Sequence, residues 1–428
     1  MPAHRYHRTA YSPGRRAAFA VVTALVLSGL AARIQAAEDL RSAAAVRSLA
    51  VEQAKAGQRV KLRGVVTFFN ENLYSRFIQD DTAGIYLQYS TNTPTPQLTP
   101  GQEVEVVGVS SPGEYAPVVV PDRITVVGEA RLPVPKPVTY ERLAGGQEDS
   151  QFVEIAGVVR SVEFNEASRF YLIELATGGG RLSVYAPELP VKDSAELIDS
   201  TVRVRGVCST QFNRQRQLFA IRLMVPRPSD LLIEERAPAD PFAVDARPIG
   251  SLLQFTPQQS FGHRVKVAGT VIYFEPGKEL FLQDGDQGIA VQPSLREPLQ
   301  LGDRIEALGF VAQGPYTPVL QDAVYRRLST DHAVMPVTVT PDEALKGMYD
   351  CCLIHVSARV LDRSLQGPEH YLILQADGFV FQAYLWPHGG TDAFRNLENG
   401  SRIAVTHMEL HNEEGKLIAT GSAAYVVG

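Results

Sequence analysis

Nearly the same string of residues occurs twice in this chain, about two hundred residues apart. Val60-Lys61-Leu62-Arg63-Gly64-Val65-Val66 returns as Val265-Lys266-Val267-Ala268-Gly269-Thr270-Val271, and Phe77-Ile78-Gln79-Asp80 as Phe281-Leu282-Gln283-Asp284. Gly84-Ile85 returns as Gly288-Ile289, and Tyr115-Ala116-Pro117-Val118 as Tyr316-Thr317-Pro318-Val319. Matches in one order at a nearly constant offset mean that a whole structural unit is duplicated. Weaker copies lie between them. Val153-Glu154-Ile155-Ala156-Gly157-Val158-Val159 opens a second unit and Ile354-His355-Val356-Ser357-Ala358-Arg359-Val360 a fourth, so the order is A-B-A′-B′.

Each unit reads as β. Val60, Leu62 and Val66 alternate with Lys61, Arg63 and Thr67, the period of a half-buried strand. Gly64 and Gly269 interrupt the strand at the same place, as at a barrel corner. Gln79–Gly84 and its copy carry turn residues between apolar runs and read as hairpin tips. Five short strands with a bent first strand match the five-stranded OB barrel. The expected fold is therefore all-β: four tandem OB-like barrels with short connecting helices. Residues 59–131 form unit 1, 132–228 unit 2, 229–334 a linker and unit 3, and 335–428 unit 4. Residues 37–58 are an Ala-rich helical lead-in, and Thr340-Pro341-Asp342-Glu343 is a capped helix start with Gly347 as its stop. The Pro- and acid-rich stretch Pro226–Pro248 reads as a hinge between the halves.

Residues 1–36 have the order of a secretory signal peptide: Arg5, Arg8, Arg15 and Arg16, a 16-residue apolar run, then Ile34-Gln35-Ala36. The run is shorter than the roughly 20 residues of a spanning helix. The expectation is export to a periplasmic, Gram-negative-type envelope, with cleavage near Ala36. Removing the five arginines of that segment from 41 basic residues leaves 36 against 47 acidic, a net charge of −11. Such a balance opposes nucleic-acid binding, in which neutralised phosphates supply most of the affinity. Cys208, Cys351 and Cys352 are an odd set and read as small buried hydrophobes.

The residues argue against catalysis, cofactors and metals. Beyond the signal segment no histidine precedes His263, so a His-based site shared by the repeats is excluded. His407-Met408-Glu409-Leu410-His411 misplaces the Glu of a metalloprotease helix. On one strand its imidazoles stand about 13 Å apart, too far for one metal. Asp80, Asp81, Asp284 and Asp286 read as turn residues rather than a calcium loop. Ligand-binding candidates are Phe69 and Phe274, just past the bend of the first strand, and Tyr115 and Tyr316 in the loop between strands four and five. Asn213 and Arg214 occupy the equivalent, locally basic loop of the second unit.

With these residues in hand, the chain resembles the tandem OB-like, exported amino-terminal region of certain large bacterial sensor histidine kinases. The resemblance is carried by Arg63-Gly64-Val65-Val66-Thr67, Phe77-Ile78-Gln79-Asp80, Glu148-Asp149-Ser150-Gln151-Phe152-Val153-Glu154 and Gly314-Pro315-Tyr316-Thr317-Pro318-Val319-Leu320. It implies an extracytoplasmic sensing module linked to two-component signalling. No residues here match the family's transmembrane helix or kinase core. The expected function is non-enzymatic binding of a small ligand or an envelope protein, such as a membrane-bound sensor kinase. Two alternatives stay open: a single-stranded nucleic-acid or oligosaccharide binder, and an envelope enzyme with a carboxylate site.

Overall fold

A computed structural model describes residues 39–88, 96–254, 262–330, 332–364, 370–385, 397–406, 409–411, 417–419 and 424–426. Residues 1–36, expected as a signal peptide, lie outside these, as do His407 and Met408. Among the described residues no helix is long and apolar enough to cross a membrane.

The Ala-rich lead-in forms two single-turn helices, α1 (Ala43–Arg47) and α2 (Val51–Lys55). Barrel 1 follows with β1 (Arg59–Asn70), β2 (Ser75–Gln79), β3 (Gly84–Tyr86), β4 (Gln102–Ser111) and β5 (Val118–Glu129). Its strands lie in the order β3-β2-β1-β4-β5, and a parallel bridge from Leu87 to Val119 joins the two ends. The alternation seen in the sequence has its cause here: Val60, Leu62, Val66, Val104 and Val106 fill the interior. Residues 59–65 pair with β4 and residues 65–70 with β2, so the strand changes partners next to Gly64. A Cβ on Gly64 would stand 2.9 Å from the Gln79 carbonyl oxygen.

Barrel 2 comprises β6 (Lys136–Pro137), α3 (Tyr140–Ala144), β7 (Phe152–Asn165), β8 (Phe170–Thr177), β9 (Gly180–Ala186), β10 (Thr201–Phe212), β11 (Leu218–Met224) and β12 (Leu231–Glu235). The order is β12-β10-β11-β9-β8-β7-β6, closed by pairing of β10 with β7. Barrel 3, with β13 (Arg264–Glu275), β14 (Glu279–Asp284), β15 (Gln287–Pro293), β16 (Arg304–Gln313) and β17 (Pro318–Ser329), is closed in the order β13-β14-β15-β17-β16. In both a parallel pair, β9 with β11 and β15 with β17, gives the Greek-key connectivity of an OB barrel.

Barrel 4 contains β18 (Val337–Thr338), α4 (Pro341–Leu345), β19 (Ile354–Ser364), β20 (His370–Ala376), β21 (Phe379–Leu385), β22 (Arg402–Thr406), β23 (Glu409–His411), β24 (Leu417–Ala419) and β25 (Ala424–Val426). Its first strand again pairs with the second and the fourth. Helix α4 has the expected capping box: the Thr340 hydroxyl accepts from the Glu343 amide and Glu343 accepts from the Thr340 amide.

The chain divides into two compact units. One holds barrel 1 with residues 143–153 and 206–221; the other holds residues 137–142, 154–205 and everything from Arg222 onward. Pro226–Pro248, expected as a hinge, lies wholly in the second. It contains a strand, because Leu231 is buried and Leu231–Glu235 pairs with β10.

The strongest repeat has a structural cause, and it recurs in each unit. Gln79 Oε1 accepts the Phe152 amide at 2.9 Å, and Gln283 Oε1 accepts the Leu353 amide at 2.8 Å. Five residues beyond each glutamine a glycine admits a backbone carbonyl. A Cβ on Gly84 would lie 1.9 Å from the Ser150 oxygen, and one on Gly288 2.1 Å from the Cys351 oxygen. Ser150 and Cys351 are themselves left-handed, at φ 65° and 57°. Each odd-numbered barrel thus clasps the segment leading into the next. Asp80 serves its own turn, its carboxylate accepting from the Thr82 and Ala83 amides.

Ion pairs line the outer faces. Burial acts to raise Glu154, but hydrogen bonds from Arg205 and Arg203 hold its carboxyl below the ordinary glutamate range. Glu306 is held down in the same way, against burial, by Lys266 and Arg326.

Two predictions follow from this packing. Gly84→Ala and Gly288→Ala should each cost about 1–3 kcal/mol in thermal or denaturant unfolding, because a carbonyl must be displaced. Gly128→Ala, which meets no atom within 4 Å, should stay within about 0.5 kcal/mol. Because Glu154 and Glu306 are depressed, their contribution is complete at neutral pH and is lost as pH falls through their folded values. Denaturant unfolding at neutral pH and at about pH 3 should show a smaller acid loss for the Glu154→Gln/Glu306→Gln variant than for the unmodified protein.

Candidate functional site: a cleft on the fourth barrel

The six residues singled out in the sequence fall into three settings. Phe69 and Phe274 are partly buried against the cores of their own barrels, and Phe274 meets Tyr325 edge-on with ring centroids 6.3 Å apart. Tyr115 and Tyr316 sit in corresponding loops and rest on corresponding glycines. A Cβ on Gly146 would meet the Tyr115 hydroxyl at 2.0 Å, and one on Gly347 the Tyr316 ring at 1.5 Å. Both glycines follow a one-turn helix and are left-handed, at φ 70° and 76°. Tyr316 also donates to the Lys346 carbonyl at 2.9 Å, and Tyr115 lies parallel to Phe212 with centroids 6.3 Å apart.

Asn213 and Arg214 are exposed on the β10–β11 hairpin. Asn213 builds the turn, its carboxamide oxygen accepting from the Gln215 and Gln217 amides. The hairpin residue that engages a neighbour is Arg216, which sequence reasoning placed in the loop without singling it out. Held at φ 64°, it donates to the carbonyls of Gly113 (2.6 Å), Pro112 (3.0 Å) and Tyr115 (3.2 Å). The structure therefore brings Tyr115 together with this hairpin. The β4–β5 loop of barrel 1 and the β16–β17 loop of barrel 3 are both packed against protein.

The corner of the fourth barrel differs. A cleft of about 900 Å³ lies across β20, β19 and β22, lined by Ser357, Arg359, Gln375, Asp377, Ser401 and Arg402 among others. That volume falls within the range of small-molecule sites. Strand pairing sets Gln375, Arg359 and Arg402 in one row across three strands. Val356, Ala358 and Val360 point into the core, so the alternate residues Ser357 and Arg359 face outward. The same row in barrel 1 is Gln79–Val65–Glu103, and in barrel 3 Gln283–Thr270–Arg304. There both glutamines hold the clasped segment, Glu103 pairs with Arg63, and Arg304 pairs with Asp284. In barrel 4 Val380 stands opposite Gln375 where barrels 1 and 3 have glycine. Gln375, Arg359 and Arg402 are exposed, and their side chains have no hydrogen-bond or ion-pair partner among the described residues.

Sequence reasoning did not find this row. Its one signal was Leu374-Gln375-Ala376-Asp377-Gly378, a faint copy of the Gln-Asp hairpins in the odd-numbered barrels.

The Arg216 contact yields a direct prediction. Arg216→Ala leaves three carbonyls without their charged donor and should lower stability by about 2–3 kcal/mol in thermal unfolding. Arg214→Ala, on the same hairpin, should change it by no more than about 0.5 kcal/mol.

No family model matches the chain, and no curated protein matches it. Among solved structures, a murine DNA-binding protein bound to double-stranded DNA aligns at 9% identity over 38% of this chain and 97% of its own, with a TM-score of 0.23. The tetrameric p202 HIN2 aligns at 11% identity over 41% of this chain and 92% of its own, at 0.20. A replication protein A heterotrimer bound to single-stranded DNA aligns at 11% over 62% and 77%, also at 0.20. At these TM-scores the likeness carries no inference about what this chain binds.

Proposed function

We propose that this chain is a non-catalytic binding module whose ligand site is the cleft of barrel 4. One observation carries the reading: the glutamine and the outer charged residue of this row, which hold a segment or sit in an ion pair in barrels 1 and 3, stand open in barrel 4, where Arg359 replaces Val65 or Thr270 between them. A concave site with a few convergent polar groups is the usual form of a small-ligand pocket. The cysteines support the non-catalytic part. Burial, with nearby carboxylates, pushes the Cys208 and Cys352 thiols up to about 12 and raises Cys351 as well. All three are buried and stay protonated at neutral pH, unlike nucleophilic thiols.

We place this activity outside the cytoplasm, on the strength of the basic and apolar amino-terminal segment. Its role there is sensing for two-component signalling, the role implied by the resemblance to sensor-kinase input regions.

Thermal-shift titration of the protein beginning at Ala37 against small envelope metabolites, glycans and inorganic ions tests the reading. A saturable rise in Tm is expected for one ligand class, about 2.7 kcal/mol at a hundredfold excess over Kd. It should be lost in Ser357→Trp, which fills the cleft from an exposed position. Binding that survives Ser357→Trp, or turnover of any ligand, would place the function elsewhere.

A further inference from the structure

We infer that the cleft of barrel 4 takes an oxyanion, a phosphate or carboxylate group, held between Arg359 and Arg402. The inference rests on the reading of this cleft as the ligand site and adds the chemistry of the ligand.

Like charges placed directly opposite on paired strands repel each other and destabilise a sheet. Arg359 and Arg402 are such a pair, opposite one another in the antiparallel register of β19 with β22. Elsewhere on the outer faces the strands balance their charges. Arg63 meets Glu103, Lys266 and Arg326 share Glu306, and Arg203 and Arg205 share Glu154. Among the described residues, barrel 4 leaves its two guanidinium groups without an ion-pair partner, in a concave site.

Guanidinium forks match the planar or tetrahedral oxygens of carboxylate and phosphate, and charge-assisted bonds of this kind are the strong ones. Gln375 continues the row and adds a carboxamide donor, and the hydroxyls of Ser357 and Ser401 line the same cleft. Among the described lining residues the one carboxylate is Asp377, in the left-handed turn between β20 and β21 at φ 49°. Two guanidinium groups against one carboxylate leave the cleft positive, in a chain whose formal charge is −6. The remaining acids of the protein disfavour polyanionic chains such as nucleic acid, and the group recognised is a compact oxyanion.

The test is isothermal titration of the protein with pyrophosphate and with citrate, and co-sedimentation with phosphatidylglycerol vesicles. Saturable binding that weakens with added salt is expected. Arg359→Gln and Arg402→Gln should each weaken it roughly 10- to 100-fold, the size of a lost charge-assisted bond. Asp377→Asn should tighten it, since a like charge is removed, and Arg131→Gln, on an exposed segment of barrel 1, should leave it unchanged. Circular dichroism and Tm of each variant establish that it is folded. Binding of soluble anions assigns a free metabolite, and binding of vesicles alone assigns a lipid headgroup. Anion binding that ignores both arginine variants overturns the inference. So does a neutral ligand whose binding is blocked by Ser357→Trp, and in that case the small-ligand reading itself stands. If Ser357→Trp blocks nothing and no anion binds, both fail.

Discussion

The arrangement depends on two carboxamides. Gln79 and Gln283 each hold one backbone amide of the segment leading into the following barrel, and a glycine opposite each makes room for the neighbouring carbonyl. A buried amide without an acceptor is costly, so this bond fixes where the segment must lie. From that point the first strand of barrel 2 or barrel 4 begins with its side chains already sorted into inner and outer faces. Strand register has a period of two, and a slip of one residue would turn every core residue outward.

The same corner explains why barrel 4 stands apart. Its glutamine is kept as Gln375, yet Val380 replaces the glycine that would admit a carbonyl, and the next two positions of the row are arginines. A corner built to receive polypeptide in barrels 1 and 3 has become a positively charged cleft. Small changes at equivalent positions thus separate the clasp of barrels 1 and 3 from the cleft proposed as a ligand site.

Much of the fold could be read from the sequence because strand alternation, turn chemistry and repetition all pointed the same way. Val60, Leu62 and Val66 show their period directly, and the capping box at Thr340–Glu343 needs only four residues to be recognised. The role of the Gln-Asp hairpins was not readable in this way. As local sequence they are turns, and Asp80 does serve its turn, but Gln79 acts on Phe152, far along the chain. Tyr115 and Tyr316 have the same ambiguity, since an aromatic residue beside a turn looks alike whether it faces a ligand or a glycine such as Gly146. The cleft was hidden for a further reason. Arg359 and Arg402 are 43 positions apart, and only strand pairing makes them neighbours.

The clasp also has a direction. Its acceptor and its glycine belong to the hairpin of the earlier barrel, whereas the amides that need an acceptor, those of Phe152 and Leu353, belong to the start of the later one. Barrel 1 or barrel 3 therefore provides a template, and its successor is the dependent partner. A ribosome releases the chain in the same order, so each lead segment emerges after the surface that orients it. A circular permutation that placed barrel 2 before barrel 1 would reverse the order in which the acceptor Gln79 and the amide it holds, that of Phe152, emerge.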